Sequence, residues 1–178
     1  MYRRSPIHSP PRRLSPWALV SVLGLSIASG LDAQQREIVG DFIVQTFPTT
    51  SILESDVVTA FTSSRDARTD QQTAALLWTC IRDQLRVGLD LMDIEVRSSW
   101  GPEVIWRFLS EWPSEARRWG VKYKGSFYAN VSVSASLTDR GLAGGQVTLS
   151  VKQRAGAARD YTFRLRSLRE AIAKLPCS

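Results

Sequence analysis

From Leu76 onward, apolar residues return at every second position in short runs that a glycine, a proline or a charged pair then interrupts. In "LLWTCIRDQLRVGLDL", Leu76, Trp78 and Cys80 share one face of a strand and Leu77 and Thr79 the other, because side chains alternate along an extended backbone. The polar "IRDQ" turns the chain, and Leu85, Val87, Leu89 and Leu91 then alternate with Arg86, Gly88, Asp90 and Met92, which predicts a hairpin. The apolar phase shifts at "LMDIEV", the mark of a bulge or of a strand end. Further strands are expected upstream over Asp56–Ser64, before the polar loop "SRDARTDQQ". Downstream they are expected over Glu103–Pro113, Arg117–Gly125 and "SFYANVSVSAS", and in a hairpin formed by "GGQVTLSVKQRAG" and "RDYTFRLR".

The period changes at the C-terminus. Leu168, Ala171, Ile172 and Leu175 recur at helical spacing, Ser167 and Glu170 have the spacing of a capping box, and Pro176 ends the run. A helix of about ten residues is marginal alone and has to be held against the sheets. The predicted fold is mainly β: an antiparallel β-sandwich over residues 55–178 with a short C-terminal helix. Residues 34–54 mix apolar positions with Pro48 and a Thr/Ser cluster, a pattern compatible with either a short helix or an edge segment.

The first 33 residues read differently. A basic, proline-rich leader precedes the apolar run "WALVSVLGLSIASGL" and the small residue Ala33, the three parts of a secretory signal. The competing reading is an uncleaved anchor, but a span needs about 20 apolar residues and this run holds Ser21, Ser26 and Ser29. The expected mature protein is periplasmic or secreted, cleaved near Ala33 and without a stable membrane span. The formal charge of +6 also looks different once this segment is set aside. Four of the 23 basic residues and one of the 17 acidic ones lie in it, leaving 19 against 16, scattered along the chain. Nucleic-acid binding therefore has no support.

Export gives the two cysteines, Cys80 and Cys177, a meaning. In an oxidising compartment an even, minimal count is most simply one disulfide, and this one would tie the C-terminal helix to the sheet. Closing so long a loop contributes about 4–5 kcal/mol in the chain-entropy model. The alternative is a buried free Cys80 and a frayed Cys177.

Catalytic chemistry is sparse. The one histidine, His8, lies in the leader, so the mature chain offers no imidazole to a nucleophile or a mixed zinc site. No phosphate loop, dinucleotide fingerprint, calcium loop or HExxH sequence is present, and neither catalytic residues nor a cofactor is expected. Asp90, Asp93 and Glu95 lie close in sequence, but a solvated strand end accounts for them better than an acid/base pair or a cation site. Six tryptophans leave more scope. Trp78 and at least one of Trp106 and Trp119 belong in the core, whereas Trp100 and Trp112 each stand beside a loop Gly or Pro and are the candidate contact residues for a sugar or a peptide.

The order of parts resembles the small exported family of type VI secretion-associated proteins called VasI or TagO. Cys80, Asp83, Arg107, Phe108, Trp119, Phe163, Leu165, Leu168, Ala171, Ile172 and Cys177 stand where that pattern expects them, within residues 55–178. Trp106 replaces the usual Tyr, and Ser167 a Gly. The resemblance implies no enzymatic activity and no cofactor. It implies an accessory that binds an envelope or secretion-apparatus protein, the alternative being a carbohydrate- or peptidoglycan-binding module using Trp100 and Trp112.

Overall fold

Alternation becomes sheet through most of the chain. The computed structural model describes residues 35–47, 57–66, 69–92, 101–109, 111–123, 126–152 and 157–177. The leader with its expected cleavage point, residues 48–54, Asp93, Glu95 and Trp100 lie outside the described residues.

Two antiparallel sheets face each other. The first has seven strands in the order β1-β2-β3-β4-β5-β9-β8, and the second four in the order β11-β10-β6-β7. The first sheet is built from β1 (Arg36–Val39), β2 (Phe42–Phe47), β3 (Val57–Arg65), β4 (Gln72–Ile81), β5 (Gln84–Leu91), β8 (Val121–Tyr123) and β9 (Ser126–Tyr128). The second holds β6 (Glu103–Phe108), β7 (Arg117–Arg118), β10 (Gln146–Lys152) and β11 (Arg159–Arg164). The expected sandwich is thus present. Its two helices are α1 (Val131–Gly141) and α2 (Leu168–Ile172).

The inward set follows from the two-residue period. Phe42, Ala60, Leu76, Trp78, Val87 and Leu89 from the first sheet meet Val104, Trp106, Val147, Leu149, Tyr161 and Phe163 from the second in one buried cluster. Ala60 stands opposite Trp78 and Trp78 opposite Val87 in the strand register, so the indole sits between two small or β-branched neighbours. Its outer edge meets the ring of Phe42 edge-to-face, with centroids 5.7 Å apart. Gly88 is glycine for a local reason: the ring of Tyr128 lies across it, and a Cβ there would come within 2.7 Å of that ring.

The hairpin between β4 and β5 turns on two residues, Arg82 and Asp83, both with positive φ, as a type I′ turn requires. The N-terminal segment, compatible in sequence with a helix or an edge, is an edge hairpin turning at Gly40 and Asp41. The strand expected over Glu103–Pro113 stops at Phe108.

One element differs in kind. The "NVSVSAS" stretch alternates like a strand, yet Val131–Gly141 is helix α1. Its buried positions are Val133, Ser134, Leu137, Thr138 and Gly141, a helical face that is half polar and so leaves no hydrophobic signature. The polar members are satisfied inside. Thr138 Oγ1 accepts from Trp78 Nε1 at 3.0 Å and donates to Ser134 O at 2.8 Å, while Ser134 Oγ accepts from Val87 N at 3.0 Å. Asn130 caps the helix, its Oδ1 accepting from Val133 N at 2.9 Å.

The short helix α2 is held at both ends. Beyond it, Cys177 is disulfide-bonded to Cys80 on β4, with a Cα–Cα separation of 5.8 Å. Before it, Arg166 N donates to Asp41 Oδ2 at 3.1 Å and Asp41 N to Arg166 O at 3.3 Å. The capping box is not formed. Ser167 has φ +68°, in the left-handed region, and its side chain makes no capping hydrogen bond. It packs instead against Gly40, where a Cβ would lie 2.5 Å from that of Ser167.

Two outcomes follow for stability. Replacing both cysteines by serine should lower stability by about 3 kcal/mol, or ~10 °C in Tm; an unchanged melting curve would rule out the attachment as a stabilising link. Ser167→Gly should raise stability by about 0.5–1 kcal/mol, because the left-handed conformation strains a residue bearing a Cβ. Chemical denaturation of the two proteins side by side measures it.

Candidate functional site

Where β6 ends, the chain has to return to β7, and it does so in a loop that folds back on its own strand. Ser114 Oγ accepts from Trp106 N at 3.0 Å and Ser114 N donates to Trp106 O at 2.9 Å, so the serine closes the loop against the middle of β6. Glu111 N donates to Phe108 O at 3.1 Å, and the Glu111 carboxylate pairs with Arg140 on α1. The loop is therefore fixed at three points.

This tied loop carries two apolar side chains into water. Trp112 is 93% exposed and Leu109 76%. The other described tryptophans of the sandwich, Trp78, Trp106 and Trp119, are buried. Of the two tryptophans singled out in the sequence, Trp112 is a surface residue, and Trp100 lies outside the described residues. Asp90 lies half-buried on β5, paired in register with Ala75. Among the described residues no three His, Cys, Asp or Glu side chains come together as a metal-binding group.

The surroundings of the loop come from the outer face of the second sheet. The register sets Arg107, Thr148 and Thr162 in one row, with the two threonine hydroxyls 3.1 Å apart, and sets Gln146 beside Arg164 in the next. A shallow cavity of about 720 Å³ lies between Arg107, Trp112, Pro113 and Thr148. A second, of about 660 Å³, continues past Leu109 and Gln146 to Arg164, Arg166 and Arg169. Among the described residues these four arginines, Arg107, Arg164, Arg166 and Arg169, form no side-chain hydrogen bond or ion pair. Two of the nearby carboxylates are already engaged, Glu111 with Arg140 and Asp41 with the Arg166 N–H, while Glu170 stands open at the start of α2.

The arginines were visible in the sequence as a pattern without a reading. Arg164 and Arg166 are two apart in "TFRLR", which places them on one face of the chain, and Arg107 precedes the last residue of β6. What the sequence lacked was the pairing of β10 with both β6 and β11, which brings Arg107 and Arg164 to the same face. Leu109 was hidden for a different reason: the strand was expected to run on to Pro113, where it would have been one more alternating position.

Trp112 and Trp78 should separate cleanly in a stability measurement. Trp112→Ala is expected to change unfolding free energy by less than about 0.5 kcal/mol, whereas Trp78→Ala removes about 3–5 kcal/mol. A loss of more than ~1 kcal/mol for the Trp112 variant would show that this side chain supports the fold.

Comparisons with known proteins inform the fold. No family model matches the chain, and no curated protein matches it. Among solved structures, invasion associated protein B from Bartonella henselae is similar, with 10% identity, a TM-score of 0.52, and coverage of 79% of this chain and 94% of that one. The two chains share the sandwich architecture.

Proposed function

We propose that this protein is an exported, non-enzymatic accessory of the cell envelope that works by binding, with the Trp112 face as its contact surface. The observation that carries this reading is the pairing of a tied loop exposing Leu109 and Trp112 with four uncommitted arginines beside it. An exposed aromatic anchor flanked by arginine is the composition that dominates binding energy at interfaces. The Cys80–Cys177 bond is compatible with an extracytoplasmic location, since such bonds persist in oxidising compartments. Among the described residues no helix is long and apolar enough to cross a membrane.

The type VI secretion association rests on the sequence resemblance alone. A second reading, glycan or peptidoglycan binding, is favoured by Trp112 itself, because an exposed indole can stack on a sugar.

A photoreactive side chain placed at Thr148, between Arg107 and Thr162, tests the face while leaving Trp112 in position. In intact envelopes it should give covalent adducts that disappear with Trp112→Ala, while the same probe at Ile38 on the edge strand gives none. Mass spectrometry of the adducts distinguishes a secretion-apparatus protein from a wall fragment. Equal labelling from both positions would remove the proposed face.

A further inference from the structure

The arrangement on the β6–β7 loop points to a specific ligand for the Trp112 face, and this inference rests on the reading of that face as the contact surface. We propose that the loop docks on an anionic lipid bilayer, with Leu109 and Trp112 entering the headgroup region and Arg107, Arg164 and Arg166 meeting lipid phosphates.

Three observations favour a membrane over a sugar or a protein pocket. At 93% exposure the indole of Trp112 is almost wholly uncovered, so it is free to enter an apolar phase. Beside it stands Leu109, 76% exposed, a side chain with nothing to offer a glycan but well suited to an apolar phase. Tryptophan belongs at the water–lipid boundary, where its ring is apolar and its N–H stays wet.

The charge around the tip is complementary to such a surface. Arg107 shares a cavity with Trp112, and Arg164, Arg166 and Arg169 share the adjoining one with Leu109. Basic groups therefore line both cavities that adjoin the apolar pair. Glu111 lies on the same loop but is paired with Arg140; Asp41, hydrogen-bonded to the Arg166 backbone, and Glu170 keep their negative charge beside the second cavity, against Arg164, Arg166 and Arg169 there and Arg107 in the first. Planar guanidiniums suit bidentate contact with phosphate oxygens. The loop is also pre-ordered by Ser114 and Glu111, so docking has little conformational entropy to overcome. Long-range attraction of this kind weakens as salt shortens the Debye length.

Cosedimentation of the exported, oxidised protein with vesicles of phosphatidylcholine, with and without one-third phosphatidylglycerol, tests the proposal. Loss of the leader is checked by intact mass, so that Arg3, Arg4, Arg12, Arg13 and Trp17 contribute neither to binding nor to quenching. Leu109→Ser/Trp112→Ser and, separately, Arg107→Gln/Arg164→Gln/Arg166→Gln should each weaken binding to the anionic vesicles about tenfold, and raising the salt should weaken the parent chain but not the arginine variant. Lipids brominated near the headgroup should quench tryptophan emission of the parent and not of Trp112→Phe. Binding that ignores both sets of substitutions, or no binding to anionic vesicles, overturns the membrane assignment. If that happens while the Thr148 probe still labels a protein or a glycan in a Trp112-dependent way, the contact surface stands and the lipid ligand falls. If the probe also labels nothing, both readings fall together.

Discussion

The indole of Trp78 is the point on which the sandwich closes. It is 1% exposed, lies against Phe42 from the edge hairpin, and donates its N–H to Thr138 of α1. A buried N–H without an acceptor would forfeit about 1–3 kcal/mol. Thr138 is therefore not an incidental neighbour: the hydroxyl that accepts from the indole also donates to the carbonyl of Ser134 one turn earlier. Ser134 in turn serves Val87 on β5, the strand next to β4. One short polar chain thus fixes the helix to the sheet in a single position along and around its axis, which apolar contact alone does not do.

Two residues after Trp78 on the same strand comes Cys80, so the disulfide attaches the end of the chain to a site whose position is already set. The other end of that segment is set independently by Asp41. A helix of five residues has almost no stability of its own, and here it needs none. Its apolar side chains Leu168 and Ala171, with Leu175 beyond, are presented to the core because both flanks are fixed. The left-handed backbone at Ser167 fits this account. Two anchors and a close approach to Gly40 determine the path of the chain, and the residue conforms to it at some local strain.

How far the sequence reveals such a molecule depends on which physical quantity each element uses. Strands β10 and β11 use alternating burial, plain in Val147, Leu149, Tyr161 and Phe163, whereas β4 and β5 are buried on both faces at their middles and show their period in the large apolar residues Leu76, Trp78, Val87 and Leu89, with small or polar residues such as Ala75, Thr79 and Gly88 on the other face. Helix α1 uses buried hydroxyls, and Ser134 and Thr138 look like surface residues until their partners on β4 and β5 are known. The capping signal at Ser167 and Glu170 was locally sound, but tertiary anchoring took the serine elsewhere. Trp112 was legible because it adjoins a proline that ends any strand. The arginine face was not legible, since it is assembled by strands far apart in sequence and no residue in it is unusual alone.

The exposed loop is best understood against this economy of burial. Most large apolar side chains of the two sheets are gathered in one buried cluster, with Ile38 and Phe47 on the edge hairpin among the exposed ones. Trp112 has no such seat available nearby, because the outer face next to it presents Arg107, Thr148, Thr162, Gln146 and Arg164. Nor can the loop easily carry the indole elsewhere, since Ser114 holds it to β6 and Glu111 holds it to α1. The fold therefore keeps Leu109 and Trp112 in water by construction, next to four arginines that form no ion pair among the described residues. The exposed apolar pair costs an isolated molecule hydrophobic free energy while the solvated arginines do not, and both gain against a surface that is apolar within and anionic at its boundary.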